Sequence, residues 1–422
     1  MLRPALRRAR SQKLLRVTIF AITLPVAACA PAESPSEGGG ASVGVSPSAS
    51  VAASATSGAS QSPTAELPEG WTLVHDVTAD EANASGREVV AGTEGFLAST
   101  LEYVNGEGGP HLTGQSFWHS DDGQTWTEAT SPIASENELL MALTTTRDGD
   151  FLVLTSVFDQ ETATSVTRAQ RSNDGAAWEE VETGLPDDFG ILSIDHGPEA
   201  SLLVGRVSTP DSSDAGAWLS EDGITWERAL DMDEPGRYLN GGDGGAGDEG
   251  FVVAGTSVAG DSSSHEYVVW ASSDGHEWVQ TRSPFNPEDP DYRPDPYVAA
   301  LGGDWVAALS TPDDDIQFWF SQNGIDWEAA GLLQRDEPLN SFDPVFDAYD
   351  GSLYFSTGGG GILIQTPGIW SSPNGFDWEE VDLGTDAFLG GMATGDGFLL
   401  MNTTTLNGET PTHAGIWISP TD

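Results

Sequence analysis

The sequence predicts an all-β domain made of one unit used seven times, and three observations predict it. A seven-residue pattern, Ser-x-Asp/Asn-Gly-x-x-Trp, recurs along the chain. Almost every tryptophan belongs to it or stands two residues ahead of it. The two ends of the repeating region carry complementary halves of one more copy. A search for internal repeats comes before any local reading, because a fixed period fixes the architecture.

The complete copies start at Ser120, Ser172, Ser220, Ser272, Ser321 and Ser372 and end at Trp126, Trp178, Trp226, Trp278, Trp327 and Trp378. A second tryptophan precedes the serine by two residues at Trp118, Trp218, Trp270, Trp319 and Trp370, with Gln170 as the exception. The C-terminal Trp417-Ile418-Ser419 is the front half of another copy, and Gly70-Trp71 is its back half. Of 14 tryptophans only Trp305 lies outside these two positions. From Trp71 to Trp378 there are 307 residues in six intervals, about 51 each, so residues 70–422 make seven units whose last strand can pair with the first.

Within a unit, four short apolar or alternating runs are separated by Gly, Asp and Asn. The final stretch shows them as the Trp378-led run, Leu389 to Ala393, Phe398 to Asn402 and Ala414 to Ile418. Four strands per unit of this length are the pattern of a propeller blade. The expected fold is a seven-bladed β-propeller of four-stranded antiparallel blades, closed by pairing of N- and C-terminal strands. After Cys29 no segment sustains a helical period of apolar residues. Asp-Gly or Asn-Gly in the repeat suits a tight turn between third and fourth strands, where a positive φ is needed. The tryptophan brings a large area to bury between neighbouring blades.

The N-terminus reads as an address. Six basic residues and no acid precede Val17, an apolar run to Ala28 follows, and Cys29 comes after Val26-Ala27-Ala28. A basic n-region, a short apolar core and small residues before a cut describe a secretory signal over residues 1–28. The run is shorter than the roughly 20 residues of a spanning helix. Its ending resembles the lipobox of bacterial lipoproteins, which implies lipid attachment at Cys29, the only cysteine. Residues 29–66, rich in Ser, Ala, Gly and Pro, read as a disordered linker between the lipid and a domain at 67–422. The protein is therefore expected outside the cytoplasm, lipid-anchored to the outer face of the cytoplasmic membrane or the cell surface.

Charge sets the partners. Beyond Cys29 there are 10 Arg and no Lys against 66 Asp and Glu, a net of −56. Phosphate backbones demand clustered cations, so nucleic acid is excluded as a partner. Strong self-repulsion favours a soluble monomer whose membrane contact comes from the lipid alone.

The seven-residue pattern resembles the Asp-box, or bacterial neuraminidase repeat, of sialidases, xyloglucanases, sortilin-type receptors and photosystem-assembly factors. In that resemblance Asp122, Asp174, Asp222, Asp274, Asn323 and Asn374 are structural turn residues and carry no activity, since fold does not imply function. A sialidase would add an arginine triad, a tyrosine paired with a carboxylate, and an acid for proton transfer. The family's early Arg-Ile-Pro motif is absent, and no catalytic residue is assigned. Arg87, Arg237 and Arg293 fall near first strands, where a central clamp could form, and Tyr292 adjoins Arg293 in the long Ser283–Pro296 connection. These four are the candidate ligand-binding residues. No metal site is assigned and no cofactor is expected. The runs at Asp231–Glu234, Asp289–Asp291 and Asp313–Asp315 have the oxygen donors of a Ca²⁺ site but not the register of an EF-hand. The function expected is non-catalytic binding or scaffolding of protein or glycan. The alternatives are an extracellular, sialidase-like glycoside hydrolase and an assembly or stability factor for a membrane complex.

Overall fold

The structure is a computed structural model that describes residues 70–420 apart from 78–82, 107–108, 136, 160, 163, 209–212, 233–236, 260–264, 284, 286–294, 314, 335–344, 357–367 and 408–409. The signal segment, Cys29 and the linker lie outside the described residues, as do Tyr292 and Arg293. Among the described residues every regular element is a strand.

Seven four-stranded antiparallel sheets follow one another around the chain. The chain opens with β1 (Thr72–Val77). Blade 1 is β2 (Asn83–Gly92), β3 (Gly95–Gly106), β4 (Gly109–Ser120) and β5 (Thr127–Glu128). Blade 2 is β6 (Glu138–Thr145), β7 (Phe151–Asp159), β8 (Thr164–Ser172) and β9 (Glu179–Val181). Blade 3 is β10 (Phe189–His196), β11 (Ser201–Ser208), β12 (Ser213–Ser220) and β13 (Glu227–Asp231). Blade 4 is β14 (Arg237–Gly247), β15 (Gly250–Ala259), β16 (His265–Ser272) and β17 (Val279–Arg282). Blade 5 is β18 (Tyr297–Leu301), β19 (Asp304–Ser310), β20 (Ile316–Ser321) and β21 (Glu328–Leu333). Blade 6 is β22 (Val345–Tyr349), β23 (Ser352–Ser356), β24 (Ile369–Ser372) and β25 (Glu379–Glu380). Blade 7 takes β26 (Ala387–Gly395), β27 (Phe398–Asn407) and β28 (Thr410–Pro420) and completes itself with β1. Thr72 pairs with Ile418 and Val77 with Ala414, so the ring closes between the two ends of the repeat, as its split copy predicts.

Burial explains the sequence pattern within each blade. A second strand is covered on both faces by the adjacent blades, so Phe151 to Leu154, Leu202 to Val204 and Phe251 to Ala254 are buried without interruption. Such strands read as continuous apolar runs instead of alternating ones. Fourth strands lie on the rim, and Thr127, Glu128, Glu179, Glu180, Glu379 and Glu380 are exposed on them. The core is thus a series of interfaces between blades. Between blades 2 and 3, for example, Leu152, Leu154, Phe189, Leu203, Trp218 and Trp226 pack together. Gly95 and Gly250 occupy positions no other residue could take. Their φ angles are 122° and 117°, and a Cβ would fall 2.3 and 2.2 Å from the carbonyl oxygens of Ser120 and Ser272.

Because neighbouring strands are antiparallel, the first–second hairpins and the third–fourth turns share one face of the ring. The second–third and fourth–first connections share the other. The repeat therefore marks one face only.

Candidate functional site

At the six complete copies the repeat builds one turn. The third residue accepts two backbone amides with one side-chain oxygen, as Asp222 Oδ1 does from Ile224 N and Thr225 N, both at 2.7 Å, with the Ser220 hydroxyl at 2.9 Å. Asn323 Oδ1 takes Ile325 N and Asp326 N at 2.9 and 2.8 Å. The glycine that follows has φ between 68° and 76° in all six. Four of the tryptophans return a bond to that glycine's carbonyl, at 3.0 Å for Trp126 and 2.9 Å for Trp278. Trp178 instead bonds Thr130 O at 2.8 Å. In blade 2, Gln170 stands where the other blades have tryptophan and donates to Pro132 O. All of this chemistry is spent on holding the turn and the adjoining blade.

The other chemically distinctive region is the centre. An innermost strand has no strand on its inner side, so its inward amides need other acceptors. The neighbouring blade supplies them. Gly86 N donates to Thr404 Oγ1 at 3.0 Å, Leu140 N to Gln115 Oε1 at 3.1 Å and Leu389 N to Ser356 Oγ at 3.0 Å. Farther round the ring, Ala246 N donates to Asp195 Oδ2 at 2.7 Å, Val298 N to Asp243 Oδ2 at 3.0 Å and Gly244 N to Ser193 Oγ at 3.0 Å.

Asp195 and Asp243 belong to a larger group. Asp347, on β22, bonds its own neighbour's amide, Ala348 N, at 2.7 Å and accepts from the Tyr349 hydroxyl, while Tyr349 accepts from Met392 N of blade 7. Burial pushes the Asp347 carboxyl well up from the usual range, and the charges of Asp195 and Asp243 add to the effect. Blades 3 and 6 are not neighbours in the ring, so Asp195 and Asp347 sense each other across its centre. Burial likewise raises Asp195. Asp243 is pushed up to about 7 by burial and by Asp195, against the bonds from Val298, Ser193 and Gly244. The Tyr349 phenol is raised by burial and then by Asp347. All four side chains keep part of their surface exposed. Beside them, His196 bonds Thr144 Oγ1 at 2.6 Å and Ser201 Oγ at 2.7 Å, and burial and Arg147 push its imidazole down.

Of the candidates from sequence, Arg87 is half-buried in a bulge of β2, between Gly86 and Val89, and Arg237 begins β14 with its side chain outside the described residues. The structure does not bring Arg87 together with the acidic group through any hydrogen bond or ion pair among the described residues. Other arginines are engaged elsewhere. Arg147 donates to Gly197 O at 2.6 Å and to Pro198 O, Arg171 reaches Glu179 and lies 3.7 Å from Asp150, and Arg228 bonds Asp214 and sits 5.3 Å over the Trp218 ring. No group of three His, Cys, Asp or Glu side chains among the described residues could hold a metal ion. Asp195, Asp243, Asp347 and Tyr349 were missed from sequence. The available signal was an acid or phenol inside a first-strand run, as in Ile194-Asp195 and Phe346-Asp347-Ala348-Tyr349.

No protein-family model matches the chain, and no curated protein matches it in sequence. Among solved structures it is similar to one from a study of two prolyl endopeptidases, with a TM-score of 0.50 and 14% identity over 79% of this chain. The chain spans about half of that protein, 47% of its length. It is also similar to the Trypanosoma rangeli sialidase bound to the inhibitor DANA, with a TM-score of 0.42 and 13% identity over 84% of this chain and 60% of that one. For the phage phi92 endosialidase the TM-score is 0.40 and the identity 11%, over 84% of this chain and 70% of that one. At such identities the likeness concerns the fold: this chain is a β-propeller.

Proposed function

We propose that the chain is an exported lipoprotein, anchored through Cys29, whose Asp-box propeller binds a protein or glycan partner without chemical turnover. The anchoring rests on the small-small-Cys ending of the signal segment and on Cys29 having no other cysteine to pair with. The linker then holds the propeller roughly 30–40 Å from the lipid, by the square-root scaling of flexible chains.

The observation that carries the non-catalytic reading is the state of Tyr349. A phenol works as a nucleophile when its ionised form is favoured or when a neighbouring carboxylate is free to take its proton. Here burial and the Asp347 charge push the phenol up, and Asp347, itself raised by burial, is engaged by Ala348 N. Asp195 and Asp243 likewise spend oxygens on the amides of the next blade. This is a central site arranged to hold strands, with recognition left to the loops of the face away from the repeat turns.

The test is a glycan and glycoside panel on the purified full-length chain, scored separately for binding and for turnover. Binding without turnover supports the proposal. Turnover that disappears in Tyr349→Phe or Arg87→Ala replaces it with a glycoside hydrolase, and silence on the whole panel with co-purification of an integral membrane protein favours an assembly factor. Cys29→Ala should release the protein from membranes, and retention in the membrane fraction overturns the anchoring.

A further inference from the structure

The inward amides of the innermost strands are satisfied in two ways within one molecule. Gly86, Leu140 and Leu389 use the neutral oxygens of Thr404, Gln115 and Ser356, whereas Ala246 and Val298 use the carboxylates of Asp195 and Asp243. Neutral acceptors therefore suffice for the structural task. Carboxylates that face one another across a protein-lined centre bring desolvation and like-charge repulsion that a serine or threonine avoids. Their concentration on β10, β14 and β22 gives one side of the ring a sensitivity that the other side lacks.

We propose that Asp195, Asp243 and Asp347, with Tyr349, form a pH-operated latch on the innermost strands of blades 3 to 6. With protons shared among the carboxylates, the strands are held to their neighbours. When the protons leave, the negative charges repel across the centre and the inner edges of β14 and β18 loosen.

Among the described side chains no cation pairs with these carboxylates. β14 itself begins with Arg237, β18 contributes Tyr297 as its one titratable side chain, and β26 has none between Ala387 and Gly395, although Asp386 and Asp396 flank it. β2 contributes Arg87 and Glu88, and Glu88 accepts from Ser99 at 3.0 Å. β6 contributes Glu138, which is held by Thr155 at 2.7 Å and Ala134 N at 3.0 Å. On the His196 side, Arg147 directs its guanidinium to the carbonyls of Gly197 and Pro198. The sign follows from the raised carboxyls. A carboxylate whose folded pKa exceeds its unfolded one stabilises the fold while protonated, and that contribution is lost as pH rises through the folded value, about 7 for Asp243.

Hydrogen exchange on the whole protein tests the latch against its own internal control. Protection factors, corrected for intrinsic base catalysis, are compared between about pH 5.5 and about pH 8.5. The expected result is a fall of about tenfold for the amides of Ala246 and Val298, with those of Gly86, Leu140 and Leu389 changing less than about threefold. An equal change in both sets, or none in either, overturns the proposal. In a second arm, Asp243→Asn and Asp347→Asn keep an acceptor oxygen and remove the charge. They should flatten the pH dependence, and a dependence that survives in both assigns it to another group and overturns the latch.

Discussion

Aspartates in two regions of this molecule share a side chain and behave oppositely. In the repeat turns, Asp174 and Asp274 are held below the usual carboxyl range by two backbone amides each, and the hydroxyls of Ser172 and Ser272 assist. At Asp122 and Asp222 partial burial works against the charge, but the amides and the serine hydroxyl outweigh it. In the channel, Asp195, Asp243 and Asp347 also accept backbone amides, yet burial wins and their carboxyls are raised. The difference is what lies beyond the amides. A turn on the rim opens to water, which solvates the remaining oxygen, whereas the channel offers protein walls and other carboxylates. Amide N–H groups therefore fix an anion at the rim, whereas at the centre burial and like charge outweigh the same kind of bond and raise the carboxyls.

The largest expected effect on the rim side is at Asp222. Replacement by alanine removes the acceptor of Ile224 N, Thr225 N and the Ser220 hydroxyl in one step. After discounting for solvent, urea denaturation should show a loss of about 1–2 kcal/mol. Asp222→Asn should cost less than about half of that, because Asn323 and Asn374 build the same turn with an amide oxygen. Equal losses in the two variants would mean that charge, and not the acceptor geometry, holds the turn.

At the centre, Tyr349→Phe removes the donor to Asp347 and the acceptor of Met392 N. The expected loss is about 1 kcal/mol at neutral pH, and the contrast with the rim should appear in its pH profile. Without its donor the ionised form of Asp347 is less favoured, so the fall in stability that starts above the unfolded pKa of about 3.9 should run deeper and level off at higher pH. The rim carboxylates act in the opposite direction. Their contribution is present above the unfolded pKa of about 3.9 and lost as pH falls through their depressed values. A scan of the urea midpoint against pH therefore separates the two regions: an acid limb from the rim, together with the lowered His75 and His196, and an alkaline limb from the channel. Absence of the alkaline limb would remove the electrostatic distinction between the two sets.

The two regions also differed in how far the sequence disclosed them. The rim turn was legible because its parts are local and repeated. Serine, Asp or Asn, glycine and tryptophan lie within seven residues; the first three do the same work in six blades and the tryptophan bonds the glycine carbonyl in four. The central group has no such register. Asp195 stands opposite Leu202, Asp347 opposite Tyr354 and Asp243 opposite Ala254, which is deeper in its hairpin. Their spacings, 48 and 104 residues, are near one and two repeats, but no shared motif surrounds them, they meet only when the ring closes, and each is one of 66 acids. Arg87 was singled out for lying near a first strand. The structure gives it a bulge in β2, a feature of backbone register that composition does not encode.

The smallest effect sharpens the comparison inside the rim itself. In blades 5 and 6 the turn residue is asparagine, and the residue three positions on is an aspartate that receives the spare amide. Asn323 Nδ2 donates to Asp326 Oδ2 at 3.1 Å, and Asn374 Nδ2 to Asp377 Oδ2 at 3.1 Å. In blades 1 to 4 the turn residue is aspartate and the third residue on is Thr125, Ala177, Thr225 or Glu277. Asparagine thus stands where a short carboxylate, Asp326 or Asp377, follows three residues on, whereas blade 4 keeps Asp274 with the longer Glu277 in that place. Asn323→Asp keeps both turn amides satisfied and turns an amide–carboxylate bond into a like-charge contact. The expected cost is a few tenths of a kcal/mol at low salt, shrinking toward zero near 1 M salt because both groups are exposed. A cost that does not respond to salt would place the asparagine's value in its donated hydrogen bond instead of in the avoided repulsion. The double variant Asn323→Asp/Asp326→Thr, which rebuilds the blade 3 combination, would then fail to restore the lost stability.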